Sequence, residues 1–256
     1  MGSIIFGRLK NRLITQFAAL AGLNLYFLRL QSVCIPALNC YSCPAAVFAC
    51  PIGTLVNFSA LRLFPFITVG ILGLTGIIGG RFVCGWVCPF GFIQDGLHKI
   101  PSPKLEVPQK LGYTKYFILI LPVFLIPFFL PHSNSTFCHF CPAGTLESAI
   151  PWRFMGISSG DNIGFSMRMV ILLGTVVLAV TLSRGFCRLL CPLGAIFSIF
   201  NRVSLFRMRL AKPCNNCGIC AKECPVEIDP VKQINAPECI RCLECTKPPH
   251  LKFGIK

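Results

Sequence analysis

Seventeen cysteines stand in short groups along this 256-residue chain, and their spacing suits metal ligation. They form CxxC and CxxxC pairs between long apolar runs, unlike the cysteine framework of a small disulfide-rich secreted domain. Thiolates at such spacings bind zinc or iron–sulfur clusters. We therefore expect bound [4Fe–4S] clusters, roughly two to four in number.

The cysteine-rich segment near the C-terminus has the spacing of a bacterial ferredoxin. It reads C-x2-C-x2-C-x3-C-P, in which the fourth cysteine ligates a different cluster from the first three. A second group follows, and with Cys224 it completes one four-cysteine set. The residues of the first group are Cys214, Cys217, Cys220 and Cys224, and those of the second are Cys239, Cys242 and Cys245.

The other ferredoxin site, formed by Cys214, Cys217 and Cys220, is one cysteine short. Pro249 occupies the position where the fourth cysteine is expected. Four alternatives follow for this site. The neighbouring His250 could be the fourth ligand, a partner protein could supply it, the site could bind a [3Fe–4S] cluster that needs only three cysteines, or the site could be empty. A zinc interpretation of the segment stays open from the CxxC pairs alone.

Two further motifs occur twice in the chain, which indicates an internal repeat. The sequences RFVCGWVCPFG and RGFCRLLCPLG each carry a CxxxCP loop. Parallel repeats would bring equivalent loops together on one side of a membrane. We expect one cluster there, bound by Cys84, Cys88, Cys187 and Cys191, with dithiol chemistry or zinc as alternatives.

A second pair of repeated loops, of CxxCP type, is predicted on the opposite side. Cys138 and Cys141 should meet two of the four cysteines in the first of these loops, Cys34, Cys40, Cys43 and Cys50. Aligning CxxCPA pairs Cys43 with Cys141, whereas aligning CPxGTL pairs Cys50 with Cys141. Cys40 and Cys43 are the favoured partners, and disulfides or redox-active thiols compete with a cluster.

Composition predicts a membrane protein, because 54% of the residues are hydrophobic and 13% are charged. Runs of about 20 apolar residues indicate helices that span a bilayer. The predicted fold is an all-α integral membrane protein with four transmembrane helices in two parallel repeats, followed by a ferredoxin-like α+β domain. The four predicted spans are Leu13–Leu30, Ala60–Gly80, Tyr116–Pro131 and Phe165–Ser183.

Lys and Arg concentrate in segments that we expect to be cytoplasmic. The net charge of +15 thus reflects topology, and no nucleic-acid-binding element accompanies it. Both termini are predicted on the cytoplasmic side of the inner membrane, with multiple passes. The expected domains are a first membrane repeat (1–110), a second (111–206) and the ferredoxin-like domain (207–256).

The paired CxxxCP loops, the apolar spans and the terminal ferredoxin motif resemble the NapH/MauN family of membrane ferredoxin-type proteins. The resemblance implies an electron-transfer or quinol dehydrogenase component, working with menaquinone or ubiquinone and with other subunits of a membrane oxidoreductase complex. An accessory protein that reduces a metal or a cysteine during enzyme maturation is one alternative, and a redox sensor that signals through cluster loss is another. Candidates for a quinone contact are Gln94, Asp95, His98, His132 and His139.

Overall fold

The computed structural model describes residues 2–25, 30–105, 109–131, 136–157, 162–211, 214, 217–246 and 251–255. The α-helices are α1 (Gly2–Leu23), α2 (Pro51–Ala60), α3 (Phe66–Gly79), α4 (Phe82–Trp86), α5 (Pro89–Leu97), α6 (Thr114–Ile118), α7 (Ile126–Phe129), α8 (Phe137–Phe140), α9 (Pro142–Gly144), α10 (Ile150–Phe154), α11 (Asn162–Thr181), α12 (Gly185–Leu189), α13 (Pro192–Phe200) and α14 (Ile219–Lys222). Two 3₁₀ segments (Gln109–Tyr113, Glu244–Thr246) and two π-helical segments (Leu119–Leu125, Thr145–Ala149) complete the helical part.

The strands form two small pairs. Strand β1 (Leu30–Cys34) runs parallel to the two-residue β2 (Phe48–Ala49). Strand β3 (Phe206–Leu210) is antiparallel to β4 (Leu251–Ile255), so that Phe206 faces Ile255 and Leu210 faces Leu251. The second pair brackets the C-terminal cysteines and closes that segment into a module.

The expectation of four transmembrane helices in two parallel repeats is wrong. Among the described residues, only Leu111–Phe129 and Asn162–Thr181 are long and apolar enough to span a membrane. The other two apolar helices are the shorter Arg12–Leu23 and Phe66–Gly79. Pro65 stands directly before α3. A proline disfavours helical backbone angles in the residue before it, so α2 and α3 are separate helices.

Proline also explains why the run Leu111–Phe129 is not a regular α-helix. Pro122 lies inside a π-helical stretch, Leu119–Leu125, between α6 and α7. A proline has no N–H to donate, and a wider helical turn accommodates the lost hydrogen bond. The helical run therefore continues past Pro122 because its hydrogen bonds change locally to the π-helical pattern.

One hydrophobic core gathers cysteines from both pairs of repeated loops. Its buried members come from α2, α3, α4, α5, α8, α9, α12 and α13, from the π-helical stretch Leu119–Leu125 and from the loop before β2. They include Leu38, Ile52, Phe90, Phe186, Phe197 and the six cysteines Cys50, Cys84, Cys88, Cys141, Cys187 and Cys191. A second, smaller cluster lies in the C-terminal module and consists of Met208, Cys220, Cys245 and Leu251. The cysteines are thus core residues of both parts.

Candidate functional site

The two CxxxCP loops share one local structure. Cys84 lies within α4 and Cys187 within α12, while Cys88 and Cys191 stand immediately before α5 and α13. Pro89 and Pro192 occupy the first helical position, where proline's fixed φ favours a helix start. All four thiols are buried, and we call Cys84, Cys88, Cys187 and Cys191 the inner cysteine set.

Two buried arginines connect the loops reciprocally. Arg184 donates a hydrogen bond to the carbonyl oxygen of Cys84 at 2.7 Å. Arg81 donates one to the carbonyl oxygen of Cys187 at 3.1 Å. Each arginine precedes the first cysteine of its own loop by three residues. The pattern R-x-x-C therefore occurs in both repeated sequences and could have identified the two arginines. The arginines hold the loops together and place positive charge beside the thiols.

The sulfurs of the inner set are close enough to affect one another's ionisation. A hydrogen bond from the Cys191 thiol, aided by Arg184 and Arg81 and opposed by burial, lowers the pKa of Cys187 to about 6. The side-chain amide of Gln94 donates to the Cys187 sulfur at 3.1 Å. A thiolate is the ligand form of cysteine. Burial raises the pKa of Cys84 and Cys88, and the hydrogen bond to Cys187, together with burial, raises the pKa of Cys191, so the surroundings favour a thiolate at Cys187 only.

Asp95 anchors the arginine that joins the inner loops. Arg184 donates to both carboxylate oxygens of Asp95 at 2.6 Å, and Arg12 of α1 forms a second ion pair with it. Burial alone would raise the pKa of Asp95, but Arg184 and Arg12 hold that pKa below its ordinary value. Asp95 therefore neutralises charge in the core, and Gln94 and Asp95 are already engaged with protein groups.

The C-terminal module docks on the first inner loop through its CIRC segment. A Cβ added to Gly85 would lie 2.4 Å from the carbonyl oxygen of Ile240, so glycine is required for this approach. Trp86 donates its indole N–H to the carbonyl oxygen of Arg241 at 3.1 Å. Asn201 donates to the carbonyl oxygen of Cys239 at 2.7 Å. The segment between Cys239 and Cys242 thus contacts the segment between Cys84 and Cys88.

The four cysteines predicted to bind one ferredoxin cluster line a single small cavity of about 20 Å³. These are Cys224, Cys239, Cys242 and Cys245, surrounded by Met208, Val226, Ile228 and Leu243. Arg241 and Leu243 have positive φ values of 52° and 64°, which turn the loop around this cavity. We call the four residues the module set.

The three-cysteine site of the module is less enclosed. Cys217 is exposed, Cys214 is half-buried and Cys220 is buried. Burial raises the pKa of the Cys220 thiol, and the neighbouring Cys217 and Cys214, followed by Asp229, raise that pKa further. Pro249 and His250, the sequence candidates for the missing ligand position, lie outside the described residues.

A cavity of about 210 Å³ lies between the CxxCP loops and α11. Four cysteines line it, Cys40, Cys50, Cys138 and Cys141, which we call the outer cysteine set. His139 also lines it, and its Nδ1 pairs with the guanidinium of Arg168 at 2.8 Å. His132 lies outside the described residues, and His98 is half-buried with an unpartnered Nδ1.

Two cysteines of the first CxxCP loop point to other partners. The Cys43 thiol donates to the side-chain oxygen of Asn24 at 3.8 Å. Cys34 is hydrogen-bonded to the side chains of Thr54 and Thr68. Neither lines the cavity, and all seventeen cysteines are free of disulfides. The structure thus places Cys50, and not Cys43, beside Cys141.

Among the described residues, no three His, Cys, Asp or Glu side chains are placed to hold one metal ion.

These features define a ferredoxin-type iron–sulfur protein that transfers electrons. Residues 61–108, 114–152 and 164–213 match a family described as 4Fe-4S binding domain, and the chain belongs to that family. The resemblance to NapH/MauN-type ferredoxin proteins that the motifs predicted is confirmed by the relatives. No solved structure matches the chain.

The relatives cover different shares of the chain. An uncharacterised protein of Methanocaldococcus jannaschii is 33% identical over 187 residues, which are 69% of this chain and 71% of the relative. The regulatory protein NosR of Stutzerimonas stutzeri is 32% identical over 183 residues, which are 66% of this chain and 23% of NosR. The methylamine utilization ferredoxin-type protein MauN of Paracoccus denitrificans is 27% identical over 160 residues, which are 58% of this chain and 50% of MauN.

Proposed function

We propose that the protein is a membrane-bound electron-transfer subunit of a respiratory redox complex. It connects the quinone pool or cytoplasmic clusters with an extracytoplasmic oxidoreductase. The inner set and the module set would each bind one [4Fe–4S] cluster. A cluster held by four thiolates supplies one-electron oxidation and reduction when it is bound.

The observation that carries this proposal is the contact between Gly85 and Ile240. It brings the loop of the inner set directly against the loop of the module set. Arg12 and Gln16 of α1 both donate to the carbonyl oxygen of Gly85, at 3.1 and 3.0 Å, and fix the loop from the other side. A protein whose two cysteine-bearing loops are held in direct contact suits electron relay better than independent metal storage.

Charged residues of the protein prepare the inner set for a negatively charged group. Arg81 and Arg184 are 0% and 1% exposed, and both approach the thiols of this set. Their charge favours thiolates and stabilises an additional electron nearby. The surrounding core residues exclude water, which strengthens these interactions.

The exposed apolar surface of α11 supports a membrane location. Its 20 residues have a length of about 30 Å at 1.5 Å per residue, which matches a bilayer core. Ile163, Val170 and Leu173 are 83%, 69% and 64% exposed in the isolated chain. Large contiguous apolar surfaces of this kind are covered by lipid or by another protein.

The charge distribution supports the cytoplasmic side for the C-terminal module. The segment after Arg184 is rich in Lys and Arg, as expected for cytoplasmic segments next to a span. Arg12 of α1 pairs with Asp95 and approaches Glu244 of the module, so the described part of the N-terminal helix lies on the module's side. We place both ends of the chain in the cytoplasm.

The test is a redox titration of the intact protein, purified without oxygen and inserted into lipid nanodiscs. Iron content and low-temperature EPR should report clusters in the wild type that a quinol analogue reduces. The Cys84→Ser variant should lose the signal of the inner set and retain that of the module. Absence of any cluster signal after reconstitution with iron and sulfide would contradict the proposal.

A second measurement separates a respiratory subunit from a maturation factor. Affinity purification from mildly solubilised membranes should recover an oxidoreductase in constant stoichiometry with this protein. Recovery of a partner only while its cofactors are being inserted, and never from the mature enzyme, would point to an assembly role instead.

A further inference from the structure

The cavity lined by the outer cysteine set is built like the inner set. Cys50, Cys88, Cys141 and Cys191 each stand directly before a helix that begins with proline and has glycine at its third position, in the pattern C-P-x-G. In each case the backbone of that glycine hydrogen-bonds the cysteine sulfur. Such bonds favour a thiolate and tune a bound cluster.

The same pattern separates Cys50 from Cys43. Cys43 is also followed by proline, but Ala46 stands where the pattern has glycine, and no helix begins there. The Cys43 thiol is occupied with Asn24. The third set of four cysteines therefore contains Cys50, and Cys34 and Cys43 do not belong to it.

Asn39 provides an independent sign of a bound group. It is 1% exposed and lines the cavity beside Cys40, yet neither its amide nitrogen nor its amide oxygen has a hydrogen-bond partner among the described residues. Burying an amide without hydrogen bonds is unfavourable, so such a group in a native cavity points to a ligand that accepts from it. A cluster sulfide or a ligating thiolate is an acceptor of that kind.

The cavity has room for a large occupant, and charged groups of both signs lie beside it. A Cβ added to Gly144 would lie 3.6 Å from the sulfur of Cys40, which is an ordinary van der Waals contact. Arg168, whose guanidinium contacts His139, contributes a positive charge to the wall, and the Glu147 carboxylate accepts a hydrogen bond from the backbone N–H of Cys40 at 2.6 Å. The cavity is many times larger than a single ion requires.

We propose that this cavity holds a further [4Fe–4S] cluster, bound by Cys40, Cys50, Cys138 and Cys141, with the Asn39 amide donating a hydrogen bond to it. Binding releases the four thiol protons, and each thiolate forms one bond to iron. The proposal extends the proposed electron-transfer function by a third redox centre, but its ligands are separate from the inner and module sets.

The test compares cysteine variants of the full chain, reconstituted with iron and sulfide without oxygen. Cys50→Ser and Cys141→Ser should each remove one EPR signal and lower the iron content, while the signals that depend on Cys84 and Cys242 remain. Cys43→Ser is the matched control, from the same loop, and should retain all iron. Equal iron content in Cys50→Ser and Cys43→Ser would overturn the assignment.

The Asn39→Leu variant tests the same cluster without removing a ligand. Iron should be retained, and the midpoint potential of the Cys50-dependent signal should fall, because the reduced cluster loses a hydrogen bond. A tenfold weaker reduction equilibrium corresponds to 59 mV for one electron. An unchanged potential would exclude the amide contact.

Iron-edge anomalous scattering from the wild type does not depend on any variant folding. A peak enclosed by Cys40, Cys50, Cys138 and Cys141 supports the proposal. Zinc, a quinone or no density in that position overturns it. Iron at the inner set and not at the outer set would refute this cluster while leaving the proposed function intact.

Discussion

The backbone of Leu38 hydrogen-bonds the sulfur of Cys88. Leu38 is 2% exposed, and it also lines the cavity that holds Cys40 and Cys50. One buried loop residue therefore stands between the outer and the inner cysteine sets. All four inner cysteines and, from the outer set, Cys50 and Cys141 belong to one hydrophobic core, and the loop before β2 contributes Leu38 to it.

Gly85→Ala should separate the C-terminal module from the inner loop. The new methyl group would lie 2.4 Å from the carbonyl oxygen of Ile240, a distance that forces the backbones apart. We expect faster proteolysis of the module and a weaker spin–spin interaction between the two reduced clusters, with iron content unchanged.

Gly96→Ala in α5 is the matched control for this change. A Cβ at Gly96 meets nothing within 4 Å, and alanine favours a helix over glycine by about 1 kcal/mol. The control should therefore keep the wild-type spectrum and protease resistance. Identical behaviour of the two variants would argue against a tight fit at Gly85.

Asp95→Asn should destabilise the protein strongly. It leaves the buried guanidinium groups of Arg184 and Arg12 without their carboxylate, and breaking a buried ion pair from one side costs about 3–5 kcal/mol. Thermal unfolding of the detergent-solubilised protein measures the change. Lys232→Gln, which removes the exposed pair with Asp229, should change the unfolding temperature little.

The same ion pairs predict a dependence of stability on pH. Because the pKa of Asp95 is lowered in the folded protein, its contribution is fully present above the ordinary value of 3.8. It is lost as the pH falls below that value, through the lowered pKa. In the Asp95→Asn variant this part of the acid destabilisation should be absent, and an unchanged acid profile would assign it to other carboxylates.

The sequence predicted which cysteines lie together better than it predicted the number of membrane-spanning helices. The spacings around Cys224 and Cys242 are local patterns, and the structure gathers those residues at one cavity. The predicted number of transmembrane spans depended on the length of the apolar runs in the sequence. In the structure two of the corresponding helices are shorter than those runs, because α3 begins only after Pro65 and α1 ends at Leu23. Contacts such as Asn201 to Cys239 and Arg184 to Cys84 join distant segments, so periodicity could not reveal them.

The outer loop shows how two local alignments compete. The CxxCPA alignment favoured Cys43, whereas the CPxGTL alignment favoured Cys50, and both are present in the sequence. The structure distinguishes them because the glycine after Cys50 supports a helix start that the segment after Cys43 lacks. Asn39 had no motif to mark it, since its importance lies in buried atoms without partners.

Gln94→Leu should lower the midpoint potential of the inner cluster. The Gln94 amide donates to the Cys187 sulfur at 3.1 Å, and losing a hydrogen bond to a ligating sulfur disfavours the reduced state. The loss of stability should be small, because leucine also removes a buried amide oxygen that has no hydrogen-bond partner in the described part of the chain. An EPR-monitored titration measures the shift, with Gln233→Leu in the module as control. An equal potential in Gln94→Leu and wild type would rule out this tuning.

Removal of iron should unfold the C-terminal module before the rest of the chain. Its core cluster has four buried residues, of which Cys220 and Cys245 are two, so apolar packing alone offers it little stability. Binding to deprotonated ligands in such a small unit contributes directly to folding. The helices that precede the module instead share a core of apolar residues.

Limited proteolysis after oxidative chelation of iron measures this difference. Cleavage should appear first between β3 and β4, while the fragment that contains α11 stays intact. Cys242→Ser should reproduce that cleavage without chelation, whereas Cys43→Ser, in the distant loop, should not. If the chelated protein is cleaved no faster between β3 and β4 than the holoprotein, the contacts of Asn201 and Trp86 suffice to hold the module without its cluster.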